Sequence, residues 1–318
     1  MSTITAERNH MKADNITLQG ILNSPNRYIV PVFQRYYSWP EAEWQRLWEN
    51  LLELAEAEED RPPSHFMGAL VFVPERNQTD VPSFLIIDGQ QRLMTLSLLL
   101  CALRNLARSH DFPELAAEIT DTYLVHPYRR GDRHFRLYPR QRDRDEYLAI
   151  LKHSGYRGER TGITEGLAYF FREIKALIPP ESFTEETLRD FFRLVVTRLE
   201  FVYITLDQEN PYRIFKSLNS TGVNLSEADL IRNFVLMAAG TDTAVQDAFD
   251  DQYWQPLESL FEDERGHLNS HELSTFFRDF LMTNGHYVPR AATFYTFERR
   301  YNTPGFSAPA LALELQKY

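Results

Sequence analysis

The run LMTLSLLLCALRNL, Leu93 to Leu106, constrains this chain more than any other feature. With Gln90 leading into it, it reads as a helix carrying leucine on almost every turn and face. A helix that is apolar all round is deeply buried, so other elements must enclose it. The chain can supply them. It has 318 residues, of which 43% are apolar and 25% charged, which describes a folded globular protein and not a disordered tail or a fibre.

The elements around that helix follow from local pattern. Asn26 to Phe33 (NRYIVPVF) reads as extended, Pro31 favouring that conformation in the residue before it. Ser38 and Pro40 introduce a helix from Glu41 to Glu58, with Trp44, Leu47, Trp48, Leu51, Leu52 and Leu54 at helical spacing. Phe66 to Val73 and Phe84 to Ile87 are short apolar runs separated by turn-prone residues, which predicts an antiparallel pair. From about Thr120 the character becomes mostly helical. Helices are expected at Arg144 to Lys152, Gly166 to Leu177, Thr184 to Val196, Ala244 to Leu260 and Ser270 to Leu281. One strand, Glu200 to Leu206, interrupts them. It leads into a helix–loop–helix, Pro211 to Leu218 and Leu225 to Met237, around Asn219-Ser220-Thr221-Gly222. The expected organisation is a mixed α/β part over residues 1–115 and a mainly helical part over 116–318. The last residues, ALALELQKY, read as the middle of a helix and suggest a chain cut short of its natural end.

Several classes are excluded or disfavoured. No apolar run is long enough to span a bilayer, and the first residues lack the apolar stretch of a secretory signal. The lone cysteine, Cys101, sits in the leucine-rich helix and reads as a small core hydrophobe, so no disulfide framework exists within the chain. A cytoplasmic location follows by default. The net charge of −11 argues against a wholly basic nucleic-acid-binding surface, but the acids are concentrated in Glu41 to Asp60 and Asp242 to Glu264. His126 to Arg144 holds seven arginines against two aspartates. There is no Walker-type phosphate loop, no HExxH, no paired CxxC, no GxSxG and no His-Asn-His nuclease cluster.

Three tracts carry chemistry. Asp88-Gly89-Gln90-Gln91-Arg92 lies where an apolar strand passes directly into the buried helix. Free N–H groups and the macrodipole at a helix start favour an anion such as phosphate. Gly89 permits a sharp turn and a close ligand approach, Gln90 or Gln91 could orient a water, and Arg92 offers a planar fork to phosphate oxygens. Asp88 could hold Mg²⁺ or act as a base. The plainer alternative is that Asp88 caps the helix and Arg92 is a surface charge.

Gln34-Arg35-Tyr36-Tyr37-Ser38-Trp39 follows the strand entered at Tyr28, mixing polar, basic and aromatic groups suited to stacking on a base and contacting phosphate, with Tyr28, Tyr36 and Trp39 as candidates for sensing DNA or its modification. For Trp39 a core-closing role is an equal alternative. The third tract runs from Ile214 to Asn233. Ser226 with Asp229 matches a capping box, which leaves Asn219, Arg232 and Asn233 as polar residues able to line a nucleotide pocket. Arg129, Arg130 and Arg133 could contact a DNA backbone, or form a solvated loop paired with the acidic helices.

Together VPVFQRYYSW, LIIDGQQRLMTL and RIFKSLNSTGVNLSEADLIRN, in that order and spacing, resemble the N-terminal domain of the GmrSD and SspE type of restriction proteins. RLYPRQRDRDEY is similar to the segment following the family's DGQQR helix, and the resemblance runs from about Asn15 to about Met282. It implies an α+β protein, a ParB/sulfiredoxin-like core with a large helical extension. It also implies a nucleoside triphosphatase, GTP favoured, with Mg²⁺ as cofactor, coupled to restriction of modified DNA. Asp88, Gly89, Gln90, Gln91 and Arg92 would form the hydrolysis site. Gln34, Arg35 and Tyr36 would sit beside it or sense the modification, either a phosphorothioate linkage, slightly favoured, or glucosylated hydroxymethylcytosine. The family's C-terminal HNH nuclease domain has no counterpart in this sequence, so DNA cleavage is not expected of this chain alone. Expected partners are modified double-stranded DNA, a nucleoside triphosphate and a second copy in a homodimer, without a membrane. The rival readings are a non-enzymatic DNA-binding module and a ParB-like nuclease.

Overall fold

The structure is a computed structural model and describes residues 11–57, 63–75, 81–153, 161–206, 226–240, 243–263 and 268–318. The chain forms two compact units: Met1–Val30 with Tyr37–Glu209, and Pro31–Tyr36 with Asn210–Tyr318.

The first unit contains β1 (Met11–Thr17), α1 (Leu18–Leu22), β2 (Arg27–Ile29), α2 (Glu41–Glu56), β3 (His65–Pro74), β4 (Ser83–Asp88) and α3 (Gln90–Ser109). After these come α4 (Pro113–Ile119), β5 (Leu137–Tyr138), α5 (Gln141–Lys152), α6 (Gly162–Leu177), α7 (Glu185–Arg198) and β6 (Leu199–Leu206). The strands form one mixed sheet in the order β1-β6-β3-β4-β2-β5. β3 and β4 are the expected antiparallel pair, whereas β6 enters between β1 and β3, antiparallel to the first and parallel to the second.

The leucine-rich helix is α3, and Leu93, Leu96, Leu98, Leu99, Leu100, Leu103 and Leu106 are wholly buried. Truncating one such leucine to alanine costs about 2–5 kcal/mol. Its polar residues are satisfied locally. Ser97 shares a hydrogen bond with the Tyr147 hydroxyl at 2.5 Å, and fully buried Arg104 donates to the Ile150 and Leu151 carbonyl oxygens at the end of α5. Cys101 is a core residue, and burial raises its thiol pKa to about 11. Thr161 and Thr184 open α6 and α7 as capping boxes, supplying the side-chain partners that first-turn N–H groups lack.

The extended segment is shorter than Asn26 to Phe33. β2 ends at Ile29, Val30 donates to the Tyr138 carbonyl, and Pro31 has no N–H with which to continue the ladder. A turn closed by Gln34 N–H on the Pro31 carbonyl follows. The boundary differs from residue 115 as well: Tyr37–Glu209 stays with the first unit because β6 completes its sheet and α6 and α7 cover α3.

In the second unit, α8 (Glu227–Ala239) starts at the expected reciprocal cap between Ser226 and Asp229. The helix expected from Ala244 to Leu260 is broken into α9 (Thr243–Phe249), a π-helical turn Asp250–Trp254, α10 (Gln255–Glu258) and a 3₁₀ turn. Pro256 lies just beyond the π turn and lacks the N–H that would continue an α-helical ladder. Then come α11 (Ser270–Met282), α12 (Thr293–Tyr301) and α13 (Ala308–Lys317), around a core that includes stacked Trp254 and Phe277. The expected helix Pro211 to Leu218 and its loop, with Asn219, lie outside the described residues. The architecture is α+β, a mixed core with a helical extension. Among the described residues no helix is long and apolar enough to cross a membrane.

Candidate functional site

β4 delivers its last residue, Asp88, to the start of α3 through Gly89. Gly89 adopts φ +94° and ψ 9°, the left-handed region, and a β-carbon there would overlap the Leu70 side chain. It is the N-cap residue, and no side chain caps the helix. Asp88 therefore is not a cap. Its side chain, half exposed, pairs instead with Arg92 Nη2 at 3.2 Å.

Arg92 is not a surface charge either. Its Nη1 donates to the Met67 carbonyl and its Nη2 to the Ala69 carbonyl, both at 2.6 Å. These carbonyls flank Gly68, at φ +93°, where β3 slips register against β6 between Phe66 and Ala69. Burial lowers the Arg92 pKa, partly opposed by Asp88. The fork thus fixes the strand–helix corner by spanning a β-bulge.

Gln90 and Gln91 are both buried. Gln91 Oε1 accepts from the Ser38 N–H at 2.9 Å, and its carbonyl accepts from Thr95 Oγ1. Thr95 shares a hydrogen bond with the Tyr37 hydroxyl, which accepts from Trp44 Nε1 at 2.7 Å. Tyr37 N–H donates to Asp143 of α5. One polar chain, invisible to local pattern, therefore ties the entrance of α2 to the first turn of α3. Trp39 packs, partly buried, against the core of this unit.

Gln34, Arg35 and Tyr36 belong to the second unit, Gln34 being buried and the other two intermediate. Arg232 of α8, also buried, is ion-paired with Asp250 and Glu258, donates to the Val32 carbonyl at 3.3 Å and stands 5.8 Å from the Tyr36 ring. Burial opposes its charge, but Asp250 and Glu258 outweigh it and raise the pKa above the ordinary guanidinium value. Both Nη atoms of Arg232 are engaged in that internal cluster, while its Nε is buried without a hydrogen-bond partner. Asn233 beside it is buried, with neither amide atom hydrogen-bonded.

Tyr28, expected among the sensing residues, is instead a core residue, 1% exposed, whose hydroxyl donates to the Ile21 carbonyl at 3.1 Å and so does not face DNA. Arg129, Arg130 and Arg133 are exposed around the turn Gly131–His134, beside fully exposed Tyr128. Sequence pattern did not single out the neighbouring stack: the Arg27 and Arg144 guanidinium carbons each lie 4.4 Å from the Tyr138 ring centre. Arg27 Nε is buried without a hydrogen-bond partner, as is Arg136 Nε.

For Mg²⁺, no group of three or more His, Cys, Asp or Glu residues is placed to hold a metal among the described residues. The one exposed carboxylate of Asp88 suits an ion that arrives on a nucleotide and keeps phosphate and water ligands.

Residues 18–236 match the family model of the GmrSD restriction endonuclease N-terminal domain. No curated protein matches the chain. With more than half of its length covered by that model, the chain belongs to the GmrSD restriction endonuclease N-terminal domain family.

Proposed function

We propose that the chain is the nucleoside-triphosphate-hydrolysing, modified-DNA-sensing part of an antiphage restriction protein, with GTP as the first substrate to test and a cytoplasmic location. The observation that carries this reading is the uncapped start of α3, presented by left-handed Gly89 beside exposed Asp88. Backbone N–H groups and the helix dipole at such a start favour phosphate. Positioning and charge stabilisation dominate phosphoryl transfer, so a rigid corner suits that chemistry. Asp88 would hold Mg²⁺, which neutralises phosphate charge when bound, or polarise the attacking water. Gln90 would help orient that water. Arg92 acts here as a positioning residue, because both of its Nη atoms already hold the β3 bulge.

DNA contact is assigned to Tyr128, Arg129, Arg130 and Arg133, with the Arg27–Tyr138–Arg144 stack behind them. Phosphorothioate is the preferred modification in this proposal and glucosylated hydroxymethylcytosine the alternative. Tyr36 and Trp39 are the candidate sensing aromatics. Arg232 supports Tyr36 and is not assigned as a nucleotide ligand.

Two assays test this. GTP and ATP turnover should disappear in Asp88→Ala with folding intact, and no turnover by the wild type would reduce the chain to a non-enzymatic DNA-binding module. Gel shifts should show tighter binding to modified than to plain duplex. Replacing Arg130 and Arg133 with alanine should weaken both and reduce the log–log salt slope by about 1 per lost phosphate contact. Equal affinity for the modified and plain duplexes would refute the sensing role.

A further inference from the structure

Strand register places a second group of accessible side chains beside the Asp88–Arg92 corner, all within the first unit. Phe66 of β3 pairs with Glu200 of β6, and beyond the bulge Ala69 pairs with Val202 and Val71 with Ile204. Val71 also pairs with Asp88 of β4. Registered partners share a face of the sheet, and residues two apart along a strand return to it. Phe66, Glu200, Ala69, Val202 and Asp88 therefore stand on one face, opposite to the core residues Leu70, Leu199 and Phe201. The bulge decides this. From Phe66 to Ala69 β3 takes three steps where β6 takes two, and without the extra residue Phe66 would turn to the core face.

Phe66 is 61% exposed, whereas Leu70, Val71, Phe72 and Val73 of the same strand are buried. Glu200 beside it is partly exposed, and its carboxylate makes no ion pair or side-chain hydrogen bond with the described residues. Between this pair and Asp88 the floor is low and apolar, formed by partly exposed Ala69 and Val202. Four residues of β6 separate the row of Glu200 from the row of Asp88, roughly 13 Å at about 3.3 Å per residue. That span suits an extended nucleoside triphosphate, with the phosphates at the start of α3 and the base over Phe66. Arg92 touches both ends, Asp88 with Nη2 and, with Nη1, the carbonyl of Met67 next to Phe66.

An exposed aromatic ring stacks on any base. A carboxylate is selective, because it only accepts. Guanine offers its N1–H and its N2 amino group side by side on one edge, so one carboxylate takes both. Adenine sets an acceptor, N1, beside its single amino group and would meet the carboxylate with repulsion. We propose that Phe66 is the stacking platform for the base of the bound triphosphate and that Glu200 selects guanine. The inference rests on the hydrolysis reading for the phosphate end and adds two residues that lie outside the DGQQR tract.

Steady-state turnover of GTP, ATP and inosine triphosphate, which lacks the N2 amino group, tests it. Phe66→Ala should raise KM for GTP and ATP alike by about tenfold with kcat little changed, and Phe66→Tyr should keep the wild-type KM. Glu200→Gln should lower the GTP-to-ATP ratio of kcat/KM about tenfold and bring GTP down towards inosine triphosphate. Both side chains are accessible, so melting temperatures should stay at the wild-type value. Unchanged KM in Phe66→Ala removes the platform, and an unchanged ratio in Glu200→Gln removes the selector. In both cases the hydrolysis reading stands, because the wild type still turns over. If the wild type turns over nothing, that reading fails, and equilibrium dialysis with GTP decides the base site. Tighter retention by wild type than by Phe66→Ala then supports the site, and equal retention or no binding overturns it.

Discussion

The guanidinium of Arg92 lies against Gly68, in the space a β-carbon there would need. Gly68→Ala is therefore strained twice, by its left-handed φ of +93° and by collision with Nη1. The expected cost is about 1–3 kcal/mol, read as a lowered melting temperature. Because the same shift displaces Arg92 from Met67 and Ala69, triphosphate turnover should fall with it. Full stability in Gly68→Ala would show that the corner is not held in this way.

Asp88→Asn should separate chemistry from folding. The Asp88–Arg92 pair is half exposed, so its loss should change stability by less than about 1 kcal/mol. If Asp88 holds the metal or polarises water, turnover should drop about a hundredfold or more. Calorimetric melting and steady-state hydrolysis on the same preparation decide it.

The sequence made the large elements readable. Helical spacing located α2, α6 and α7, and the short β-branched and aromatic runs located β3 and β4. β1 escaped because Met11–Thr17 is polar, with Lys12, Asp14 and Asn15, and is a strand only through pairing with β6. β5 is two residues long, below any periodic signal. At the site, the tract DGQQR stood out, but its working contacts did not. The carbonyls held by Arg92 come from a bulge on β3, and the partner of Gln91 is the backbone of Ser38. Arg232 attracted attention as a polar residue on a packing helix for the same reason. Its partners Asp250 and Glu258 sit on a broken helix that periodicity renders as continuous.

Arg232→Met should destabilise strongly. It leaves Asp250 and Glu258 as buried carboxylates without their cation, a change that costs about 3–5 kcal/mol. Adding Asp250→Asn and Glu258→Gln should recover much of the loss, since no unpaired charge then remains. Chemical denaturation of the single and triple variants measures both steps. A single variant as stable as wild type would contradict the buried cluster.

Acid sensitivity should trace in part to His126. It is 8% exposed, and burial, with Arg136 nearby, lowers its pKa to about 4 although its Nε2 donates to the Asn26 backbone carbonyl at 3.2 Å. Above pH about 6.5 the ring is neutral in both the folded and unfolded chain, and its effect on stability is constant. Between pH 6.5 and 4 the unfolded chain binds a proton that the folded chain refuses, so stability falls as pH falls. The loss levels off below the folded pKa and amounts to roughly 3 kcal/mol at most. His126→Gln should flatten the melting-temperature profile across that window, and an unchanged slope would assign the acid sensitivity elsewhere.

The position of β6 between β1 and β3 has a consequence during synthesis. Neither neighbour can complete its ladder until Leu199–Leu206 has left the ribosome, although most of the first unit's hydrophobic core has been synthesised by then. Nascent chains halted before that strand present an open sheet edge above a leucine-rich helix, a surface that other chains can pair with. Translation speed and chaperone occupancy over this interval should therefore affect how much of the protein reaches its native form.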